Sequence, residues 1–236
     1  MLYEETIEKG TLALIRALSA DNTLRDFVLV GGTALALQLG HRKSLDIDLF
    51  NNKDIDSRSI ADHLSRLYGF KAIGVISNGV FGFIEGVKID MVVHKHAWIE
   101  PVHELDRVRM ASLEDIAATK LNAIVGSGAR LKDFVDVYFL LEYRTMEQMT
   151  SAYVAKYPDM NPSVAKNALL FHEDIAFQNK VDLLQRNPLW SEVAERLRQA
   201  VMEPKRKFEQ ATTLKEALRR DQESDRRKRR GKSRGR

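Results

Sequence analysis

Apolar positions recur along the chain with two different periods, and the change from one to the other divides it. Over residues 5–19, Ile7, Leu12, Leu14, Ile15 and Leu18 return near helical spacing and predict an amphipathic helix. Phe27-Val28-Leu29-Val30 reads as a short buried strand, broken by Gly31-Gly32. Thr33 to Leu39 reads as a helix that Gly40 stops. Strands are predicted over 45–50, 70–76, 80–84 and 87–93, with Glu85-Gly86 as the turn between the last two and a helix over 57–68. Beyond Ser112 the pattern becomes helical, at 113–125, 131–143, 163–170, 190–201 and 208–220, punctuated by Asn161-Pro162 and Asn187-Pro188. The reading is an α+β chain in three parts. Residues 1–110 form a mixed half, 111–218 a helical half, and 219–236 a basic tail.

Composition narrows the class. Hydrophobic residues are 44% and charged residues 30% of 236, enough for a folded core. Cysteine is absent, which removes disulfides, thiolate nucleophiles and cysteine metal sites, and fits a cytoplasmic setting. No apolar run reaches the length of a membrane span, and the acidic start Met1-Leu2-Tyr3-Glu4-Glu5 is not that of a signal peptide. The formal charge of +4 is uneven. Ten Lys/Arg against three acids put residues 219–236 at +7 and leave the rest at −3. Such a tail reads either as a solvated terminus or as a phosphate-attracting arm for nucleic acid.

The chemistry lies in aspartates placed inside apolar strands. In Ser44-Leu45-Asp46-Ile47-Asp48-Leu49-Phe50, residues two apart share a face, so Asp46 and Asp48 lie together, roughly 6–7 Å apart at the backbone. Leu45, Ile47 and Leu49 are expected on the opposite, core face. Two neighbouring carboxylates repel unless a cation lies between them, and hard oxygen donors suit magnesium. Asp90 interrupts a second apolar strand, Val87 to Val93. If the two strands pair, Asp90 joins the other two, and three carboxylates can hold two metal ions for in-line phosphoryl displacement. Otherwise Asp90 is a solvated residue on an edge strand. Val30-Gly31-Gly32-Thr33 runs strand, two glycines, helix start, which is either a tight turn or a phosphate cradle of free N–H groups.

These residues resemble a known family. Gly31-Gly32-Thr33-Ala34-Leu35-Ala36-Leu37 followed by His41-Arg42-x-Ser44-x-Asp46-x-Asp48 is similar to the first motif of the AbiEii-like nucleotidyltransferases. Lys88-x-Asp90-x-Val92-Val93, Ser112-x-x-Asp115-x-x-x-x-Lys120 and Arg130-x-Lys132-Asp133-x-x-Asp136 resemble the second, third and fourth, in order. The resemblance implies a polymerase-β-like catalytic domain with a mixed sheet, followed by a helical domain that completes the site. It implies a toxin of a toxin–antitoxin or phage-defence pair that uses a nucleoside triphosphate and magnesium, with transfer RNA or another hydroxyl, a protein side chain included, as acceptor and any antitoxin a separate chain. Gly31, Gly32, Thr33, Arg42 and Ser44 would bind the nucleotide. Asp46, Asp48 and Asp90 would hold metal, Lys120 would meet the triphosphate, and Asp133 and Asp136 would position the nucleotide. The broader superfamily often has Ser where this chain has Gly at the diglycine, which leaves that phosphate contact to backbone and Thr33.

Several of these residues also have plainer readings. Ser112 with Glu114 and Asp115 makes a good helix N-terminus. Lys120 lies on the apolar face of its helix, four residues from Ile116 and from Ile124, so it must snorkel or meet an anion. Lys132 and Asp136 have the spacing of an exposed ion pair. His94 and His96 share a strand face without a third ligand and read as a strand end rather than a zinc site. Against the enzyme stand two other readings, a non-catalytic nucleotide-binding regulator and a nucleic-acid binder driven by the tail.

Overall fold

A computed structural model of the protein describes residues 2–209. The tail at 219–236, and all but the first two residues of the helix read over 208–220, lie outside the described residues.

The N-terminal helix is shorter than its apolar periodicity. Glu4–Thr6 form one 3-10 turn, and α1 spans Lys9–Ala20 with Leu12, Ile15 and Leu18 buried. Strand β1, Val28–Leu29, leads directly into α2, Gly31–Leu39, so the diglycine belongs to the helix's first turn rather than preceding it. Gly40 ends α2 in the left-handed conformation, as expected (φ 71°). Strand β2 is Ile47–Asn51 and α3 is Ser57–Tyr68. Three strands follow, β3 Lys71–Ile76, β4 Gly79–Ile84 and β5 Val87–Val93. A hairpin that the sequence did not reveal, β6 His103–Leu105 and β7 Val108–Met110, completes the sheet.

The seven strands lie in the order β3-β4-β5-β2-β1-β7-β6. Two pairings are parallel, β2 with β5 and β1 with β7, and the others are antiparallel. In the β2–β5 register Ile47 faces Ile89, Asp48 faces Asp90 and Leu49 faces Met91. Ile47, Ile89 and Met91 are fully buried, so one apolar face is fixed and the aspartates must share the other.

The helical half packs around α4, Leu113–Ser127, which touches α2, α5 (Leu131–Leu140), α6 (Met146–Lys156) and α7 (Pro162–Ala168). Helix α8, Trp190–Met202, lies on α5. Helix α6 was not read from the sequence, although Thr145 and Gln148 form its capping box. The core runs unbroken from α1 through the sheet into α8. No helix among the described residues is long and apolar enough to cross a membrane.

One sequence expectation fails in β2. Leu45 was placed on the core face but is 65% exposed, because the strand begins only at Ile47. Residues 41–46 form an irregular segment held by other bonds. Ser44 N–H donates to Thr6, and the Thr33 hydroxyl donates to the Asp46 carbonyl.

Candidate active site

Asp46, Asp48 and Asp90 meet at one cleft, together with Gly31, Gly32 and Lys120. The cleft has a cavity volume of about 220 Å³ and is lined mainly by polar and charged side chains. Asp48 and Asp90 are direct register partners, and Asp46 enters from the end of the irregular segment. Burial pushes the Asp48 carboxyl above the usual range, and the Asp90 and Asp46 charges add to that against Lys120. One Asp90 oxygen takes the Lys88 ammonium; the other, Oδ1, is buried without a hydrogen-bond partner.

Among the described residues, no group of three or more His, Asp and Glu side chains is closed into a ready metal site. The donor set nevertheless fits a hard cation. Its members are oxygen donors only, one atom is orphaned, and one carboxylate bears a burial cost that a bound cation would relieve.

The diglycine has two separate physical reasons. Gly31 has φ +68°, and a Cβ there would lie 2.6 Å from Asp48 Oδ2. A Cβ on Gly32 would collide with the Arg42 guanidinium. No side chain caps α2, so its first N–H groups stay open beside the carboxylates. Thr33 is buried rather than in the cleft. Its hydroxyl bonds Ser44 Oγ at 2.8 Å and braces the segment that carries Asp46.

Beneath the cleft lies a buried charge network. Arg42 grips Asp136 with two nitrogens, Nε to Oδ1 at 2.6 Å and Nη2 to Oδ2 at 3.0 Å. Lys120 Nζ reaches Asp133 Oδ1 and Asp136 Oδ2, both at 2.7 Å. His41 Nε2 adds 2.9 Å to Asp136 Oδ1. Burial would raise Asp136, but Arg42, Lys120 and the His41 hydrogen bond outweigh it and hold the carboxyl well below the usual carboxylate range. Burial lowers His41 against the pull of Asp136 and keeps the ring neutral. Lys120 and Arg42 stay charged despite burial because the carboxylates face them.

The anion that Lys120 meets is thus internal, two aspartates of α5. Asp133 lines the cleft and is shared with Arg130, whose Nε lies 2.7 Å from Oδ2. Asp136 does not line it and bears on the site through Arg42 and Lys120. The proposed Lys132–Asp136 surface pair is not formed, since Asp136 is fully buried and Lys132 instead lies 3.8 Å from Asp46. Asp115 has the structural role that its N-terminal position indicated. It accepts from Ser112, from the Ile99 and Glu100 amides, and from Lys156 at 2.8 Å. Lys88 and His41 stand in the motifs, but the sequence reading gave neither a role in the site. Residues 88 and 90 share a strand face in the period-two reading, which is the signal for the Lys88–Asp90 pair that the structure forms. His94 and His96 pack against Tyr157, with His94 Nε2 3.0 Å from its hydroxyl, and the described residues supply no third ligand.

With this geometry in hand, comparisons place the chain among known proteins. Residues 13–220 match the family described as nucleotidyl transferase AbiEii toxin, of type IV toxin–antitoxin systems. An uncharacterised protein of Aquifex aeolicus is 29% identical over 184 residues, covering 75% of this chain and 87% of that one. A crystal structure from H. pylori, provisionally assigned as a nucleotidyltransferase, has the same fold. Its TM-score is 0.51 at 18% identity, with 85% of this chain and 92% of that one covered.

Proposed function

The chain belongs to the AbiEii nucleotidyltransferase toxin family, and from that premise we propose that it uses magnesium to move a nucleotidyl group from a nucleoside triphosphate onto a transfer RNA 3′ hydroxyl. The observation that carries this reading is the facing of Asp48 and Asp90 across parallel strands, beside an uncapped helix start. In this reading the protein acts in the cytoplasm as the toxin of a toxin–antitoxin or phage-defence pair, with the antitoxin a separate chain.

The residues divide the work. Backbone N–H groups at Gly31 and Gly32, with the positive end of α2, hold the triphosphate oxygens. Arg42 and Ser44 line the same side of the cleft, and Thr33 keeps their segment in place. Lys120 lends positive charge at the cleft floor, held there by Asp133 and Asp136. Asp46, Asp48 and Asp90 would hold magnesium. Two ions, when bound, supply charge for the leaving pyrophosphate and lower the pKa of the attacking hydroxyl. The hydroxyl oxygen bonds to the α-phosphorus as the bond from that phosphorus to the bridging β-oxygen breaks. Pyrophosphate leaves, and the hydroxyl proton passes by way of the cleft carboxylates to solvent.

Label transfer tests this. Protein, magnesium, each labelled nucleoside triphosphate and total cellular RNA are incubated beside an Asp46→Ala/Asp48→Ala control. Label on transfer RNA that falls about a hundredfold or more in the control is expected. Nucleotide binding with no transfer to any acceptor would turn the protein into a binding module.

A further inference from the structure

A second groove opens from the nucleotide cleft and shares Arg42, Ser44, Asp46 and Lys132 with it. Its rim carries Lys43 and Lys180, both exposed and neither in an ion pair within the described residues. Lys132 completes a set of three ammonium groups, with only the 3.8 Å approach to Asp46. Glu8 and Asp182 share the rim, so with Asp46 committed to the metal centre and Arg42 to Asp136 the three lysines leave the groove one net positive charge. Among these polar groups lies Leu45, 65% exposed. An apolar side chain held out among unpartnered lysines matches a ligand that alternates charge with flat apolar rings.

The groove is built rather than incidental. Arg42 and Leu183 form an antiparallel bridge, Lys43 N–H donates to Asp182 and Leu184 N–H donates to His41. A segment of the helical half is thereby tied along the strip that carries Asp46. The triphosphate is already provided for at the diglycine, so the second substrate needs its own way to the same carboxylates.

We infer that this groove seats the acceptor as a single-stranded nucleic acid 3′ end. Lys43, Lys132 and Lys180 take its phosphates, and Leu45 packs against a terminal base. The inference rests on the nucleotidyl-transfer reading and adds the route and the chemistry of the second substrate.

The experiment uses the full chain and a 12-nucleotide single-stranded RNA with 4-thiouridine next to its 3′ end. Crosslinks are mapped by mass spectrometry in the wild type and in Lys43→Glu/Lys180→Glu. Nucleoside triphosphate affinity is measured alongside by calorimetry. The expected result is crosslinking to residues 43–46 and 180–182, lost in the variant while triphosphate affinity stays within twofold. In Lys43→Ala/Lys180→Ala, the salt dependence of RNA binding should fall by about 1.4 in log–log slope, two phosphate contacts' worth. Crosslinks confined to other segments, the basic tail included, overturn the inference. So does an equal loss of triphosphate and RNA affinity, which would make the groove part of the nucleotide site. Label transfer to a protein that fails in the variant, without RNA crosslinks, would assign the groove to a polypeptide and overturn it as well. If the wild type binds no triphosphate, it is the underlying nucleotidyl-transfer reading that falls.

Discussion

Replacing Asp136 with Asn keeps the side chain's size and removes its charge at the point where four polar contacts converge. Arg42 supplies two of them, Lys120 and His41 one each. Lys120 keeps Asp133, but Arg42 loses its carboxylate partner and faces a neutral amide, with the Lys43 carbonyl at 2.8 Å as its other acceptor. Asp136 is fully buried and Arg42 nearly so, and removing one member of a buried pair costs about 3–5 kcal/mol. For a domain of this size that is roughly 10 °C in melting temperature. Urea unfolding at several pH values is the assay. The Asp136 carboxyl is depressed in the fold, so its stabilisation is complete above the unfolded value near 4 and is lost as pH falls below it toward the folded value. The gap between wild type and Asp136→Asn should therefore hold from pH 7 to about 4 and narrow below. His41, kept neutral by burial, lowers the stability of both proteins below about pH 6.5, because only the unfolded chain then takes up its proton. A loss under about 1 kcal/mol at pH 7, or a gap unchanged down to pH 3, would refute the network as described.

Three further predictions follow from the geometry. Gly31→Ala should strain a left-handed backbone position by about 1 kcal/mol and press on Asp48, and nucleotide affinity measured by calorimetry should fall more than stability does. Lys88→Met frees the second Asp90 oxygen; binding of manganese(II), followed by electron paramagnetic resonance without nucleotide, should tighten up to about fivefold, as a half-exposed pair is worth about 1 kcal/mol or less. Lys156→Met strands the buried Asp115 charge, and thermal melting should show a loss of about 3–5 kcal/mol, while triphosphate affinity, measured below the melt, stays unchanged.

Much of this was readable in the chain because the strands obey a period of two. The alternation around Asp48 and Asp90 needed only the β2–β5 pairing to bring the two carboxylates together, and the buried Ile47–Ile89 contact fixes that register. Leu45 misled because alternation ran on into a segment whose path is set by the Thr33 and Arg42 bonds rather than by sheet pairing. The destination of Lys120 was half legible. Its place on an apolar face demanded an anion, but that the anion is Asp133 and Asp136 depends on how α4 meets α5, a tertiary fact. Lys132 and Asp136 had ideal spacing for a surface pair, and burial of α5 on α2 and α4 decided otherwise. Helix α6 escaped notice because its buried residues, Met146, Met149, Thr150, Ala152, Tyr153 and Lys156, do not make one apolar stripe.

The parallel pairing of β2 with β5 also sets an order of events. Asp48 and Asp90 sit on strands separated by a helix and a two-stranded excursion, so their meeting is a long-range closure rather than a local turn. A chain still lacking residue 90 has no third carboxylate, however well its first strands have formed. Such non-local contacts are late and entropically costly in folding. A cation that binds across them rewards the closed state alone. A metal bound there, as proposed, would therefore also be a latch, and hydrogen exchange along β5 is where its closing would be felt.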